Sequence, residues 1–279
     1  MINEQPRIAL NDGNSIPQLG FGVWQVPNES APAVVGQALK VGYRSIDTAQ
    51  GYENEAGVGE AIRASGLPRE ELFITTKLRN GLQGYDSALK AFDQSMERLG
   101  LEKLDLFLIH WPMPSANLYA ETWKAFVRLQ KEGRVASIGV SNFNEDHLER
   151  IVGETGVVPA VNQIELHPAF QQRRLVAFNA ARGIATESWS PLGRGQFFGH
   201  PVFAKIAAKH GATTAQAIIR WHLDQGFIVI PKSVTPARIA ENFNVFGFAL
   251  DAEDRAAIAA LDDPKGRVGP DPASFDVRF

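Results

Sequence analysis

The sequence predicts a (β/α)8 barrel, an α/β fold in which eight parallel strands are ringed by helices. Three observations predict it. Eight short apolar runs recur along the chain. Helical patterns, several ending in glycine, fill the intervals between them. The length of 279 residues suits the roughly 250 that one such barrel needs. An open doubly wound sheet is the competing arrangement, and the count of eight favours closure. No linker or low-complexity stretch divides the chain, so residues 1–279 read as a single domain.

The elements follow in order. Ile8–Leu10 and Ser15–Pro17 flank the turn Asn11-Asp12-Gly13-Asn14, which predicts an N-terminal hairpin. The apolar runs are then Phe21–Trp24, Tyr43–Thr48, Leu72–Leu78, Leu104–Trp111, Ala136–Ser141, Ala160–Leu166, Ile184–Trp189 and Phe227–Ser233. Several are apolar throughout, as expected of strands covered on both faces. Between them, Tyr85–Leu99 places Ala88, Phe92, Ser95, Met96 and Leu99 on one stripe before Gly100. Helices are also predicted over Leu118–Glu132, Glu145–Thr155, Gln171–Arg182 and Thr213–Gln225, each followed by glycine. A further helix begins around Thr235-Pro236. The tail beyond Pro264 reads as a loop able to lie across the barrel mouth.

Composition narrows the chemistry. The apolar fraction is 44% and the charged fraction 21%, which is ordinary for a globular chain. A net charge of −3 argues against nucleic acid or an anionic membrane as partner. The absence of cysteine excludes disulfides, thiolate metal sites and a cysteine nucleophile, and fits a cytoplasmic protein. The polar start, Met1 to Arg7, lacks the apolar core of a leader peptide. No apolar run approaches membrane-spanning length.

Active sites of such barrels lie at the C-terminal ends of the strands. There the second run delivers Asp47, with Tyr52 in the loop behind it. The third delivers Lys77 and the fourth His110. A tyrosine is a poor acid near neutrality. A lysine beside it favours the phenolate and is expected to lower its pKa. A carboxylate would hold that lysine in place, and an imidazole could orient a carbonyl oxygen. The set suits protonation of a forming oxyanion. No Gly-x-Ser-x-Gly elbow supports covalent hydrolysis, and no metal site is expected.

The run Gly42-Tyr43-Arg44-Ser45-Ile46-Asp47-Thr48-Ala49, with Tyr52, Glu55 and Val58-Gly59, resembles the signature of the aldo-keto reductase family. Lys77, Leu108-Ile109-His110-Trp111-Pro112, Gly139-Val140-Ser141-Asn142, Asn162-Gln163 and Ile230-Pro231-Lys232-Ser233 match in order, followed by Arg238, Glu241 and Asn242. The stretches Asn162–Pro168 and Ser188–Gly193 resemble the bacterial 2,5-diketo-D-gluconate reductase type most. The resemblance implies NADPH-dependent reduction of aldehydes or ketones by a monomer. It implies that Asp47, Tyr52, Lys77 and His110 form a catalytic tetrad with Tyr52 as the acid.

The cofactor has no Gly-x-Gly-x-x-Gly turn to sit in, and Gly193-Arg194-Gly195 is a weak substitute. Lys232, Ser233 and Arg238, gathered at the last strand end and the next helix start, could instead hold a phosphomonoester such as the 2′-phosphate of NADPH. The resemblance implies Ser141, Asn142 and Gln163 around the nicotinamide carboxamide and Trp189 stacked on its ring. It implies Ser190 and Leu192 near the pyrophosphate, Val234 near the adenosine phosphate, and Glu241 and Asn242 near the adenine. Trp24 and Trp111 are expected to flank the carbonyl. Arg79 stands where the family often has tryptophan; it either pairs with a substrate carboxylate or turns outward. Two other readings fit the same residues. One is an NADPH-binding sensor barrel with incidental turnover; the other is a lyase or isomerase with Lys77 as Schiff base.

Overall fold

The protein is described by a computed structural model covering residues 5–279. The first four residues, part of the polar start discussed above, lie outside the described residues. Two strands, β1 (Arg7–Ala9) and β2 (Ser15–Pro17), pair antiparallel as the expected hairpin. Eight parallel strands follow: β3 (Phe21–Gly22), β4 (Ser45–Asp47), β5 (Phe73–Leu78), β6 (Leu104–Ile109), β7 (Val135–Ser141), β8 (Val161–Glu165), β9 (Ala185–Trp189) and β10 (Ile228–Val229). Each pairs with its sequence neighbour.

The sheet closes. Leu19, just before β3, bridges Val229 in parallel. Gly20 and Gly22 donate their N–H groups to the carbonyls of Val229 and Pro231, and Val229 donates to Gln18. Closure removes both sheet edges and decides against the open doubly wound arrangement. Each of the eight apolar runs coincides with one strand, and all but β7, which starts one residue earlier at Val135, are shorter than their runs because the ends turn into loops that carry the polar residues.

The helices lie in the predicted intervals. They are α1 (Ala31–Val41), α2 (Glu55–Ala64), α3 (Tyr85–Leu99), α4 (Tyr119–Lys131), α5 (Glu145–Thr155), α6 (Arg173–Ala181), α7 (Pro201–His210), α8 (Thr214–Asp224), α9 (Pro236–Phe243) and α10 (Ala252–Ala259). Glycine stops explain several ends: Gly100 and Gly156 follow α3 and α5 in the left-handed region, with φ of 66° and 69°. Close packing demands another glycine. Gly59 on α2 lies so near the end of α3 that a Cβ there would drive into the Leu99 backbone.

Two apolar layers hold the molecule together. The larger lies between strands and helices and includes Phe21, Tyr43, Ile74, Phe92, Phe107, Trp123 and Trp221. The smaller plugs the N-terminal end of the barrel. There Leu10 and Ile16 of the hairpin region pack on Phe73, Leu106, Leu108, Val161 and Ile228. With that end filled, the cavity of the strand bundle opens at the C-terminal ends. The interior turns polar there: Asp47, Lys77, Gln163 and Glu187 are all buried.

Candidate active site

Asp47 ends β4, Lys77 lies near the end of β5, and His110 follows β6 directly. Tyr52 closes a single 3-10 turn, Gln50–Tyr52. Lys77 is fully buried, and its Nζ donates to Asp47 Oδ1 at 2.5 Å and to the Thr48 carbonyl at 3.0 Å. It stands 3.4 Å from Tyr52 Oη. The other oxygen of Asp47 accepts from Gln163 Nε2 at 2.9 Å. His110 meets Tyr52 edge to face, with centroids 5.6 Å apart. The structure therefore brings the four predicted residues together.

Their electrostatics correct one expectation. Burial pushes the Tyr52 hydroxyl upward; the Lys77 ammonium pulls it down, and Asp47 opposes that pull. The balance remains upward, so the lysine offsets burial rather than producing a low pKa, and Tyr52 stays a protonated phenol near neutrality. Burial alone would lower Lys77, but Asp47 and then Tyr52 outweigh it and hold the ammonium charged. A buried, charged, ion-paired amine is not a nucleophile, which removes the Schiff-base reading. Burial and the nearby Lys77 charge push His110 well below the usual imidazole range, so it is neutral. Its Nδ1 is buried with no partner among the described residues.

These groups face a cavity of about 500 Å³. Asp47, Tyr52 and His110 line it with Ser141, Asn142, Gln163, Trp189, Trp24 and Trp111. The polar members are tied to one another. Ser141 Oγ donates to the Gln163 carbonyl, and Asn142 Nδ2 donates to the His110 carbonyl and to Ser141 Oγ. Trp189 Nε1 donates to Asn142 Oδ1 at 2.8 Å, which fixes the indole plane against the cavity. Asn142 and Ser190 hold left-handed backbone, with φ of 64° and 48°.

The cavity continues into a groove of about 630 Å³ that shares Trp24, Ser190, Pro191, Arg194 and Lys232 with it. Leu192, Ser233, Arg238, Glu241 and Asn242 line the groove. Among the described residues, Lys232 and Arg238 form no ion pair, so their charge is available to a ligand. Val234 is exposed beside the groove and does not line it.

Arg79 departs from the pocket assignment. Its guanidinium pairs with Glu53 at 2.9 Å, and it is absent from the cavity wall. The carboxylate of its own neighbouring loop satisfies it in the open, so no substrate charge is needed to hold it. The wall is completed instead by Pro270, Phe275 and Phe279 of the tail. Phe275 packs on Trp111 at 4.3 Å between centroids, and Phe279 lies against His110 at 5.5 Å. The tail was legible as a loop across the mouth, but nothing in its periodicity said which residues turn inward. Arg194 was passed over as part of a weak glycine pair; it stacks over Trp24 at 5.6 Å. Glu187 was also missed, inside a run that read only as a strand. Among the described residues, no three His, Asp or Glu side chains are grouped to hold a metal ion.

The profile of the aldo/keto reductase family matches residues 18–263. The chain belongs to the aldo/keto reductase family. It is 56% identical to an aldo-keto reductase of Mycolicibacterium smegmatis over 97% of this chain and 98% of that one. It is 55% identical to the methylglyoxal reductase DkgA of Salmonella typhimurium over 96% and 97% of the two chains. Among solved structures, a variant of Gox0644 in complex with NADPH superposes with a TM-score of 0.95 at 54% identity, covering 98% of this chain and 99% of that one. This aldo-keto reductase is thus an oxidoreductase with a (β/α)8 barrel and an N-terminal hairpin.

Proposed function

We propose that this aldo-keto reductase reduces small uncharged aldehydes and α-dicarbonyls with NADPH, Tyr52 donating the proton. The observation that carries the reading is the chain Asp47–Lys77–Tyr52, which ends with the tyrosine hydroxyl on the floor of an aromatic cavity.

The residues present fit the cofactor. A long cleft runs from the tetrad to Lys232 and Arg238, two cations without ion-pair partners among the described residues. Those cations and Ser233 suit a phosphate monoester. Ser141, Asn142 and Gln163 offer hydroxyl and amide groups to a carboxamide, and Trp189 offers a flat face. NADPH, when bound, supplies the hydride. The neutral His110 can donate a hydrogen bond to the substrate oxygen through its N–H. As the carbonyl electron pair moves onto that oxygen, Tyr52 releases its proton there and the alcohol forms. The Lys77 ammonium stabilises the phenolate left behind, and Asp47 holds the lysine in place.

The cavity favours uncharged substrates. Trp24, Trp111, Phe275 and Phe279 form its outer wall, and Arg79 is spent on Glu53. Arg79 therefore offers no charge to a keto-acid carboxylate, and the cations that do line the cavity, Arg194 and Lys232, lie where it meets the cofactor groove. The methylglyoxal reductase relatives are named for a substrate of the favoured kind.

Tyr52→Phe removes only the proton source. It is expected to lower kcat for methylglyoxal by roughly a thousandfold, within the range of a general acid. NADPH affinity, read by quenching of tryptophan fluorescence, should hold. Turnover near that of the parent enzyme would defeat the assignment.

A further inference from the structure

The tetrad accounts for Asp47 and Lys77 but leaves a second carboxyl beside them unexplained. Glu187 occupies the middle of β9, in register with Gln163 of β8 and Ile228 of β10. It is 1% exposed, and its Oε2 has no hydrogen-bond partner among the described residues. The groups that face it come from several elements: Asp47 from β4, Lys77 from β5, Tyr52 from the turn after β4 and the uncharged Gln163 from β8. Ile228 of β10 adds no charge. His110, beyond Lys77, is neutral.

The charge count does not close with both carboxyls ionised. One buried ammonium faces two carboxyls, and Asp47 already holds it at 2.5 Å. Gln163 already donates to Asp47. An ionised Glu187 would be an extra buried charge with one oxygen unsatisfied, an expensive state that a neutral carboxyl avoids. Burial and then the Asp47 charge push it up to about 8, against Gln163 and Lys77.

We propose that Glu187 is a positioning residue for proton transfer: kept neutral beside the Asp47–Lys77 pair, it lets Tyr52 become an anion, and its ionisation switches carbonyl reduction off at alkaline pH. The inference rests on Tyr52 being the proton donor. With Glu187 neutral, the phenolate forms beside an ammonium whose charge is balanced once. With Glu187 ionised, a second negative charge acts on both Tyr52 and Lys77. The tyrosine then gives up its proton less readily. Burial makes the coupling strong, because little water screens it.

The experiment compares the parent enzyme with Glu187→Gln, which mimics the neutral carboxyl in shape. Each profile of kcat/KM for methylglyoxal, under saturating NADPH, is normalised to its own value at pH 6. The parent is expected to fall roughly tenfold by pH 9 through one ionisation. The glutamine variant should lose that limb, and Glu187→Asp should restore one. NADPH affinity, measured across the same range, should not follow the limb. Superimposable profiles for the parent and glutamine enzymes would overturn the proposal. So would a uniform loss in the variant with the limb intact. A second readout needs no active variant. Carbon-13 labelled glutamate in the parent enzyme should show one carboxyl carbon titrating between pH 7 and 9, assigned to Glu187 by its absence in the variant; no glutamate titrating above pH 6 would also overturn it. If Tyr52→Phe proved active, the proton-donor reading would fall. If Tyr52→Phe were inactive but the alkaline limb ignored Glu187, only this inference would.

Discussion

Lys77 is fully buried, and its ammonium depends on three neighbours, Asp47, the Thr48 carbonyl and Tyr52. On the proposed mechanism, catalysis and stability therefore meet in one side chain. Lys77→Met leaves Asp47 buried beside Gln163 and the second carboxyl, Glu187, without a counter-charge. Loss of one partner of a buried pair costs about 3–5 kcal/mol, whereas neutralising both costs far less. Urea unfolding should show Lys77→Met strongly destabilised and the double variant Lys77→Met with Asp47→Asn recovering much of the loss. Equal midpoints for the single and double variants would contradict this. At this scale the four tetrad residues were legible, because each stood at a strand end or just behind one and together formed one chemistry. The net direction of the Tyr52 shift was not, since it is the difference between burial and a charge, and a sequence gives the charge but not the burial. Arg79 shows the same limit: its partner, Glu53, lies in a loop whose shape the sequence does not state.

At the scale of elements, strand and helix order followed from hydrophobic runs and glycine stops. What escaped was how helices lock to strands. His222 on α8 is an example. Fully buried, it lies 2.9 Å from the Ile218 carbonyl and 3.1 Å from the Leu166 carbonyl beyond β8. Its spacing from Ala215, Ile218 and Ile219 puts it on the buried stripe of α8, but nothing in the sequence names the Leu166 carbonyl as its partner. Burial lowers it to about 4, more than the two carbonyls raise it. The unfolded chain therefore binds a proton near pH 6.5 that the folded chain refuses until about pH 4. Stability from this group is complete above pH 6.5 and declines as pH falls through that window, by about 3 kcal/mol in all. Urea midpoints between pH 7 and pH 4 should fall for the parent enzyme and fall less steeply for His222→Asn, whose side chain does not titrate. Parallel slopes would assign the acid sensitivity to other groups.

Across the whole molecule, the substrate cavity is finished by chain far from the tetrad in sequence, and one buried carboxylate secures it. Glu165, at the end of β8, accepts from the backbone N–H of Val268 at 2.6 Å and of Gly269 at 2.8 Å. It also lies 3.0 Å from His167 Nε2. Burial opposes its ionisation, but these hydrogen bonds outweigh burial and hold it below the usual range, so it remains a carboxylate at neutral pH. The clamp is tight: a Cβ on Gly269 would stand 2.5 Å from Trp189 Cη2. From there the tail carries Pro270, Phe275 and Phe279 over the cavity. Glu165→Gln replaces two acceptor oxygens with one and turns an N–H toward a backbone N–H, which should release the tail. Trp189 keeps its bond to Asn142, so the cofactor end of the cleft should remain formed. The expected result is a KM for methylglyoxal raised about tenfold, a smaller change in kcat, and NADPH affinity within about twofold of the parent, the pattern of lost substrate binding rather than lost chemistry. An unchanged KM would show that the aromatic wall does not depend on the clamp. A matching loss of NADPH affinity would show that the tail supports the cofactor end instead.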